Sequence, residues 1–301
     1  MKSAPAPPQG ERYHRLAVLG LVTIPLLGFV AAVAVSWRLA LLRPVDLVLL
    51  AFFYLVTGLG ITGGYHRLFC HRSFRTSSPL RAALAIAGSM AAEGPLIRWV
   101  AGHRLHHNHS DREGDPHSPH HHGDGVRGLL RGLWHAQLGW FLKPHSQDVE
   151  RYARDLLQDP ALVRIDRLFL LWVGVGLAVP AAVGMAAEPA WQGALLGFLW
   201  GGLARIFLVQ HVTWSINSIC HVFGSRSYRS VDKSTNNWVC GIVGLGEGWH
   251  NNHHAFPNSA RHGLKRWQLD LTWLFISTLE RLGLVWDVKR LSRPRLAANA
   301  L

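Results

Sequence analysis

The sequence predicts an all-α integral membrane protein, in which four transmembrane helices are capped by a cytosolic helical domain holding a histidine-rich dinuclear metal site. Composition is the first reason. Of the 301 residues, 49% are hydrophobic and only 16% are charged, whereas charged residues make up about 25% of soluble domains. The second reason is four apolar stretches long enough to cross a bilayer. The third is a set of three patterned histidine motifs beside those stretches.

The net charge of +13 does not indicate a nucleic-acid partner, because the sequence has no basic motif interleaved with exposed aromatic residues. Positive loops facing the lipid bilayer, together with a phosphorylated ligand, explain this charge better. The three cysteines, Cys70, Cys220 and Cys240, are scattered and odd in number. We therefore expect buried free thiols and no disulfide framework.

The N-terminal part of the chain contains two of the four predicted spans. Residues 1–15 combine prolines and alanines with basic residues, so we expect a disordered basic arm before a 16–290 membrane domain. The first uncharged run covers residues 16–36 and the second covers residues 47–65. The apolar run 82–92 is too short to cross a bilayer, and we expect it to lie in or dip into the cytoplasmic leaflet.

The remaining spans follow a long polar stretch. Residues 66–167 are rich in histidine and arginine, which predicts a cytosolic region with helices of its own. The third span is predicted at residues 168–187 and the fourth at residues 189–220. A second cytosolic region covers residues 221–290, and residues 291–301 are predicted to be a disordered tail.

The distribution of basic residues orients these spans. Lys and Arg number 13 between His66 and Arg164 and 11 after His221, whereas the turns on the opposite side contain only Arg38 and Arg43. Positive residues favour the cytoplasmic side of a membrane. Both termini and all histidine motifs are therefore predicted to be cytoplasmic in a multi-pass protein of the cell (inner) membrane.

Two copies of the pattern HxxHH favour a metal site. Positions i, i+3 and i+4 share one face of an α-helix, so the three imidazoles of each copy can converge on one point. The two triplets are His103, His106 and His107 in HRLHH, and His250, His253 and His254 in HNNHH.

A third motif, HRLFCH, contains His66 and His71 at a spacing of five residues. On a regular α-helix this spacing separates the two rings by about 140°. The two histidines therefore either serve different ions, or the helix ends between them near the membrane surface. Eight convergent imidazoles are too many for one ion, because a closed zinc site needs four ligands. A dinuclear site is the simplest interpretation, although imidazole ligands do not identify the metal.

Other polar residues near the motifs fall into two classes. Asp115 and Glu247 could orient metal-binding imidazoles through hydrogen bonds, although turn formation explains them equally well. The histidines of PHHHG are expected to be loop residues, and the isolated His262 is expected to be solvated or locally bonded.

The boxes HRLFCH, HRLHH and HNNHH resemble those of membrane fatty acyl-CoA desaturases of the stearoyl-CoA (delta-9) type. This resemblance covers about residues 45–290 and is typical of bacterial, actinobacterial members. It extends to the stretches SDREGDPHSP, GLWHAQLGW, WSINSICHVFG and GEGWHNNHHAFPNSARHG. It implies an oxygen-dependent enzyme that introduces a cis double bond, at carbon 9, into a saturated long-chain acyl thioester. Two iron ions (Fe2+/Fe3+) and O2 as co-substrate would supply the chemistry, with no catalytic residue beyond the metal centre.

The resemblance also assigns roles to individual positions. Besides the eight patterned histidines, it implies that His221 is a ninth iron ligand and that Asn217 reaches a metal through water. The positions that line the bend of the acyl chain match Trp99, Thr213 and Trp214. Glu93 stands where the animal enzymes have glutamine, so it is a departure from the pattern in a substrate-binding position.

The same resemblance implies partners. The substrate would be a long-chain acyl-CoA or another acyl carrier. No GxGxxG motif with a βαβ pattern is found in the sequence, so the electrons would come from a separate donor such as ferredoxin or a flavin reductase.

Two alternatives stay open. A di-iron membrane alkane or acyl hydroxylase would share the metal and oxygen chemistry. A His-rich metal transporter is more remote, because transporters carry their ligands at the bilayer midplane, and His211 is the histidine placed well inside the fourth span.

Overall fold

A computed structural model describes residues 9–142, 148–188 and 190–301, and within these ranges the chain is mainly helical. The α-helices are α1 (Gln9–Leu39), α2 (Pro44–Leu59), α3 (Ser78–Ser89), α4 (Leu96–His109), α5 (Gly125–Gln137), α6 (Val149–Tyr152), α7 (Arg154–Leu157), α8 (Pro160–Arg167), α9 (Phe169–Ala187), α10 (Trp191–Leu196), α11 (Arg205–Ser218), α12 (Trp238–Val243), α13 (His250–Ala255), α14 (Leu271–Arg281) and α15 (Arg293–Ala298). Two π-helical segments, Gly60–Cys70 and Gly197–Ala204, continue α2 and α10, and short 3₁₀ turns cover Gly139–Leu142 and Ile219–His221.

Two very short strands pair antiparallel. Strand β1 (Arg75–Thr76) lies beside β2 (Val285–Trp286), with Arg75 opposite Trp286 and Thr76 opposite Val285. This pairing ties the segment after the first histidine motif to the C-terminal part of the chain.

Four helical segments in the described residues are long and apolar enough to cross a membrane. They are Arg15–Arg38, Pro44–Cys70, Phe169–Ala187 and Trp191–His221. Each overlaps a predicted span, although Pro189, at the expected start of the fourth, lies outside the described residues. The run 82–92, which we did not count as a span, contributes to the 12-residue helix α3.

Both ends of the chain contain helical residues within the stretches predicted to be disordered, and the disorder itself stays a prediction. Residues 1–8 lie outside the described residues, but helix α1 begins at Gln9, inside the predicted arm. The predicted tail contains helix α15, because the Ser292 side chain accepts from the backbone N–H of Arg295 and caps it. Leu301 N–H also donates to the carbonyl of Ser227 at 3.1 Å. Local capping and backbone pairing are therefore contacts of the C-terminal residues that composition alone does not indicate.

Small residues let the last two spans approach closely, as is common in membrane helices. A Cβ atom added to Gly184 would lie 2.3 Å from the Gly193 carbonyl oxygen, so this contact requires glycine. Arg205, within the last span, is fully buried and donates to the carbonyls of Met90 (2.5 Å) and Gly176 (2.7 Å). The buried guanidinium is thus solvated by backbone oxygens, which joins the spans to the segment after α3.

Candidate metal centre

Nine buried or half-buried imidazoles converge where the second and fourth candidate spans meet α4 and α13. Their nitrogen atoms form two sets, each with all ligand atoms within 4.8 Å of one another. The five-ring group contains His66, His71, His103, His107 and His253, and the four-ring group contains His106, His221, His250 and His254.

In the five-ring group the Nε2 atoms face each other. His103 Nε2 lies 3.2 Å from that of His71 and 3.0 Å from that of His107, and His253 Nε2 lies 3.1 Å from that of His66 and 3.0 Å from that of His107. The five nitrogens therefore enclose a single point.

The four-ring group has the same inward arrangement. His250 Nε2 lies 3.1 Å from His221 Nε2 and 3.0 Å from His254 Nε2. His106 Nε2 is buried and has no hydrogen-bond partner within the described residues, and its ring lies 5.3 Å from that of His254. Each HxxHH triplet is thus divided between the two groups, so α4 and α13 each contribute to both.

The π-helix resolves the spacing of His66 and His71. The backbone N–H of His71 donates to the carbonyl of His66 at 3.0 Å, an i→i+5 bond of the π-helical kind. Residues five apart then lie nearly above one another, and the two ring centroids are 4.7 Å apart. Both alternatives drawn from the regular α-helix are therefore corrected: the helix continues through the motif, widened, and both rings join one group.

Carboxylates hold the outer nitrogen, Nδ1, of four of the nine rings. A carboxylate at this position fixes the ring and leaves Nε2 as the free lone pair. The contacts are His66 to Glu247 (2.6 Å), His106 to Asp115 (3.0 Å), His221 to Asp111 (2.8 Å) and His254 to Asp232 (2.5 Å).

The electrostatics of the site favour positive charge at its centre. Burial lowers the pKa of His103, His107 and His253 well below its ordinary value, and the neighbouring imidazoles lower it further, so these rings are neutral. Burial acts to raise the pKa of Asp115, but His106 outweighs it and the net shift is downward. The ionised carboxylates lie behind the rings, at their outer nitrogens, and such buried charges are normally balanced by a partner or a metal.

The distances between the facing imidazole nitrogens fit bound metal ions. Two lone pairs that face each other at 3.0–3.2 Å cannot hydrogen-bond unless one nitrogen is protonated, whereas a shared cation satisfies both. Nitrogens bound at about 2.1 Å would be about 3.0 Å apart at a right angle and about 3.4 Å apart in a tetrahedron. The observed separations favour a site with more than four ligands over a closed tetrahedral zinc site.

A buried ion-pair network supports the five-ring group from behind. Arg67 is fully buried, and its guanidinium donates to Glu247 (2.9 Å) and Asp270 (2.9 Å). Asp270 also accepts from the backbone N–H of Trp273 and so caps α14. The carboxylate that holds His66 is therefore itself held by the residue next to His66 in the chain.

A largely apolar cavity of about 460 Å³ leads to the two groups. Its wall includes His66 and His103 of the five-ring group and His250 of the four-ring group. The predicted substrate-contact residues Glu93, Trp99, Thr213 and Trp214 also line it, as does Asn217. The Trp99 ring stacks on that of His103 at 5.2 Å between centroids, so the cavity wall and the ligand shell are in direct contact.

Comparison with known proteins identifies this arrangement. The chain matches the fatty acid desaturase family over residues 44–279, which is more than half of its length. The chain belongs to the fatty acid desaturase family. The three histidine motifs, the four candidate spans and the cavity all lie within or beside the matched range of this desaturase.

Curated relatives of the desaturase differ in the acyl carrier that their names state. It is 43% identical to the hex-5-enoyl-[acyl-carrier protein] acetylenase of Moorena producens over 92% of this chain and 87% of that protein. It is 40% identical to the sn-1 stearoyl-lipid 9-desaturase of Anabaena variabilis, over 80% of this chain and 83% of that protein. It is 37% identical to the acyl-CoA C20 Delta5-desaturase of Anemone leveillei, over 78% of this chain and 71% of that protein.

The structure also places residues at the site of the desaturase that sequence reasoning did not select. Asp111 and Asp232 lie in loops, 110 and 22 residues from the histidines they contact, so no local pattern marks them. His117, in DPHSP, lines the cavity and its ring centroid lies 4.3 Å from that of His106. Burial and the neighbouring His106 lower the pKa of His117 to about 3.

His262 is buried at the site, whereas the histidines of PHHHG lie in a loop beside it. His262, expected to be solvated or locally bonded, is 1% exposed, and its ring lies 4.5 Å from that of His253. It is carried inward because Asp270 accepts from its backbone N–H at 2.7 Å. The PHHHG histidines do lie in a loop, where His120 and His121 contact the carbonyls of His221 and Asp111. They brace the segments that carry the four-ring group.

Proposed function

We propose that the protein is a di-iron acyl desaturase that introduces a cis double bond at carbon 9 of a saturated long-chain acyl thioester, carried by coenzyme A. The observation that supports this most is the pair of imidazole groups in the wall of an apolar cavity. In this proposal the nine imidazoles bind two irons, and Asn217, which lines the cavity, reaches one of them through water.

The overall reaction converts –CH2–CH2– into –CH=CH–, with O2, two electrons and two protons giving two waters. Iron supplies the oxidising chemistry with O2 that side chains lack. The chain's own residues hold the imidazoles in register through the carboxylates at Nδ1. The apolar wall excludes water and holds the acyl chain against His66, His103 and His250, with Trp99 and Trp214 limiting where it can bend.

The proposed placement in the membrane follows from the same residues. With four spans crossing the inner membrane, both termini and both imidazole groups lie on the cytoplasmic side. The cavity then begins at residues of the spans, such as Tyr54 and Gly58, and ends at the histidines. An acyl chain could therefore pass from the bilayer region to the metal centre without crossing water.

The test is the fatty-acid profile of cells that express the protein, with double-bond positions located by mass spectrometry. The inactive variant is His106→Ala/His107→Ala, which removes one ring from each group. His109→Ala is the matched control, because His109 lies on the same helix outside both groups and contacts the carbonyl of Glu113. We expect a new monounsaturated acid from the wild type and the control, absent from the double variant.

Other products would redirect the proposal. Hydroxylated chains would indicate the hydroxylase, and an acetylenic product would indicate the reaction named for the Moorena relative. An unchanged profile from iron-loaded protein with a competent electron donor would contradict a desaturase and reopen the transporter. Supplying the acyl chain to purified enzyme as the coenzyme A thioester, the acyl carrier protein thioester or the phospholipid would then identify the carrier.

A further inference from the structure

A second opening, lined by different residues from the apolar cavity, also reaches the imidazole groups. This recess, of about 710 Å³, is lined by His71 and His107 of the five-ring group and His254 of the four-ring group. The cavity instead reaches His66, His103 and His250. The two openings share none of their lining residues, so the metal centre can be approached independently from both.

The recess and the cavity differ in chemistry and position. Apart from Cys70, the residues lining the recess lie outside the four candidate spans, whereas the cavity is lined by residues of three of these spans. Four cationic residues line the recess, Arg72, Arg104, Arg151 and Lys289, against one acid, Asp232, which is turned toward His254. The recess is therefore a polar, basic surface formed almost entirely outside the candidate spans.

Nearby acids neutralise only part of this charge. Asp155 pairs with both Arg72 (2.7 Å) and Arg104 (2.7 Å), yet the Arg72 side chain is still 63% exposed. Among the described residues, neither Arg151 nor Lys289 has an acidic side chain within ion-pairing distance. An excess of positive charge thus remains at the rim, beside the apolar side chain of Val231, which is 84% exposed.

We propose that this recess is the docking site of a small acidic electron-carrier protein, which delivers electrons to the metal centre through His71, His107 and His254. The inference rests on the proposed function, because that reaction consumes two electrons per double bond. With an acyl chain in the apolar cavity, the recess is the free approach to the imidazoles. Its rim attracts an acidic partner, and Val231 beside the rim provides an exposed apolar contact for that partner.

The test variant is Arg151→Glu/Lys289→Glu, in which both changes are at exposed positions outside the imidazole groups. Lys265→Glu/Arg266→Glu is the matched control, because it makes the same change of charge at two exposed residues outside the recess. Each protein is placed in nanodiscs, and the binding of a plant-type [2Fe–2S] ferredoxin is measured directly. Steady-state rates with NADPH, ferredoxin reductase and ferredoxin give the KM for ferredoxin and for acyl substrate.

We expect the recess variant to raise the Kd and the KM for ferredoxin about tenfold at low salt, with kcat at saturating ferredoxin and the KM for acyl substrate unchanged. The difference should shrink at high salt, because the Debye length shortens from about 10 Å at 0.1 M to about 3 Å at 1 M. The control should stay within about twofold of the wild type. Equal ferredoxin affinity in the recess variant and the wild type would overturn the proposal, as would an equal loss in the control.

A higher KM for acyl substrate alone would also overturn it, because the recess would then bind the acyl carrier. A single turnover driven by dithionite separates this proposal from the proposed function. Unsaturated product from both variants with dithionite shows that the chemistry is intact and that any defect with ferredoxin lies in docking. No product from the wild type with dithionite contradicts the proposed function, whatever the binding result.

Discussion

Replacing Glu93 by glutamine should stabilise the protein at neutral pH, because the native carboxyl is buried in the cavity wall without a cation. The side chain is 6% exposed. Trp99 Nε1 donates to its Oε2 at 3.2 Å, whereas Oε1 has no hydrogen-bond partner within the described residues. Burial raises the pKa of Glu93 to about 8, and the hydrogen bonds from Thr213 and Trp99 offset only part of this effect.

The magnitude and its sign follow from proton linkage. Below pH 4.5, the ordinary value, the carboxyl is protonated in both the folded and unfolded states, and glutamine brings no advantage. Between pH 4.5 and about 8 the unfolded chain releases a proton that the folded chain keeps, so the free energy of unfolding falls by about 1.4 kcal/mol per pH unit. At pH 7 the loss reaches about 3 kcal/mol, and above pH 8 it no longer grows.

Other groups near Glu93 do not change this window. Thr213 and Trp99, whose hydrogen bonds lower the pKa of Glu93, do not titrate in this range. Arg98 lines the same cavity but is not among the groups that shift the pKa of Glu93.

The assay is thermal unfolding in detergent at pH 5 and pH 7.5. Glu93→Gln should raise Tm relative to the wild type at pH 7.5, with little difference at pH 5. Proton competition at the histidines affects both proteins at the same pH and therefore cancels. Glu113→Gln is the control, because Glu113 is exposed, and it should match the wild type at both pH values. An equal Tm gain for Glu93→Gln at pH 5 and pH 7.5 would refute the reasoning, because it would be independent of ionisation.

Three further predictions follow from the site. Asp232→Asn should lower iron affinity 10- to 100-fold, because the carboxylate orients His254. The iron content per protein after dialysis measures this effect, and Asp287→Asn, at an exposed position, is the control. Gly246→Ala should lower the free energy of unfolding by about 1–3 kcal/mol, and with it Tm. The reason is that Gly246 has a φ of +113° and an added Cβ would lie 2.2 Å from an Asp270 oxygen. An unchanged Tm would contradict this strain. Chelation of the metal should lower the Tm of the wild type and Fe2+ should restore it, because ions that bind the folded state stabilise it; a Tm insensitive to chelator would indicate that the imidazoles fold without metal.

The patterned histidines could be predicted from sequence because their signal is local. In His103, His106 and His107 the helical spacing alone places three rings on one face, and the structure adds that they divide between two groups. The four apolar stretches were recognisable for the same reason, since length and composition define a span. The pairing of His66 with His71 could not be predicted from sequence. A π-helix arises from the packing of a whole segment, and the α-helical period does not apply there.

The carboxylates show where sequence reasoning ends. Asp115 and Glu247 lie within nine and three residues of a patterned histidine, so they were selected as candidates, although turn formation explained them equally well. Asp111 and Asp232 act across loops on His221 and His254, and such contacts depend on how the polar regions fold back on the spans. A buried acid near histidines in space, rather than in sequence, is the signal that the structure supplies.

The distribution of these carboxylates makes the two groups chemically unequal. Three of the four rings in the four-ring group have a carboxylate at Nδ1, those of Asp111, Asp115 and Asp232. Within the described part of the chain, the five-ring group has one such contact, from Glu247, whose charge is shared with Arg67. A carboxylate at Nδ1 makes an imidazole a stronger donor at Nε2. The four-ring group therefore has the more basic imidazoles, which offsets its smaller number of ligands. An ion bound there would have more open coordination positions than an ion bound by the five-ring group.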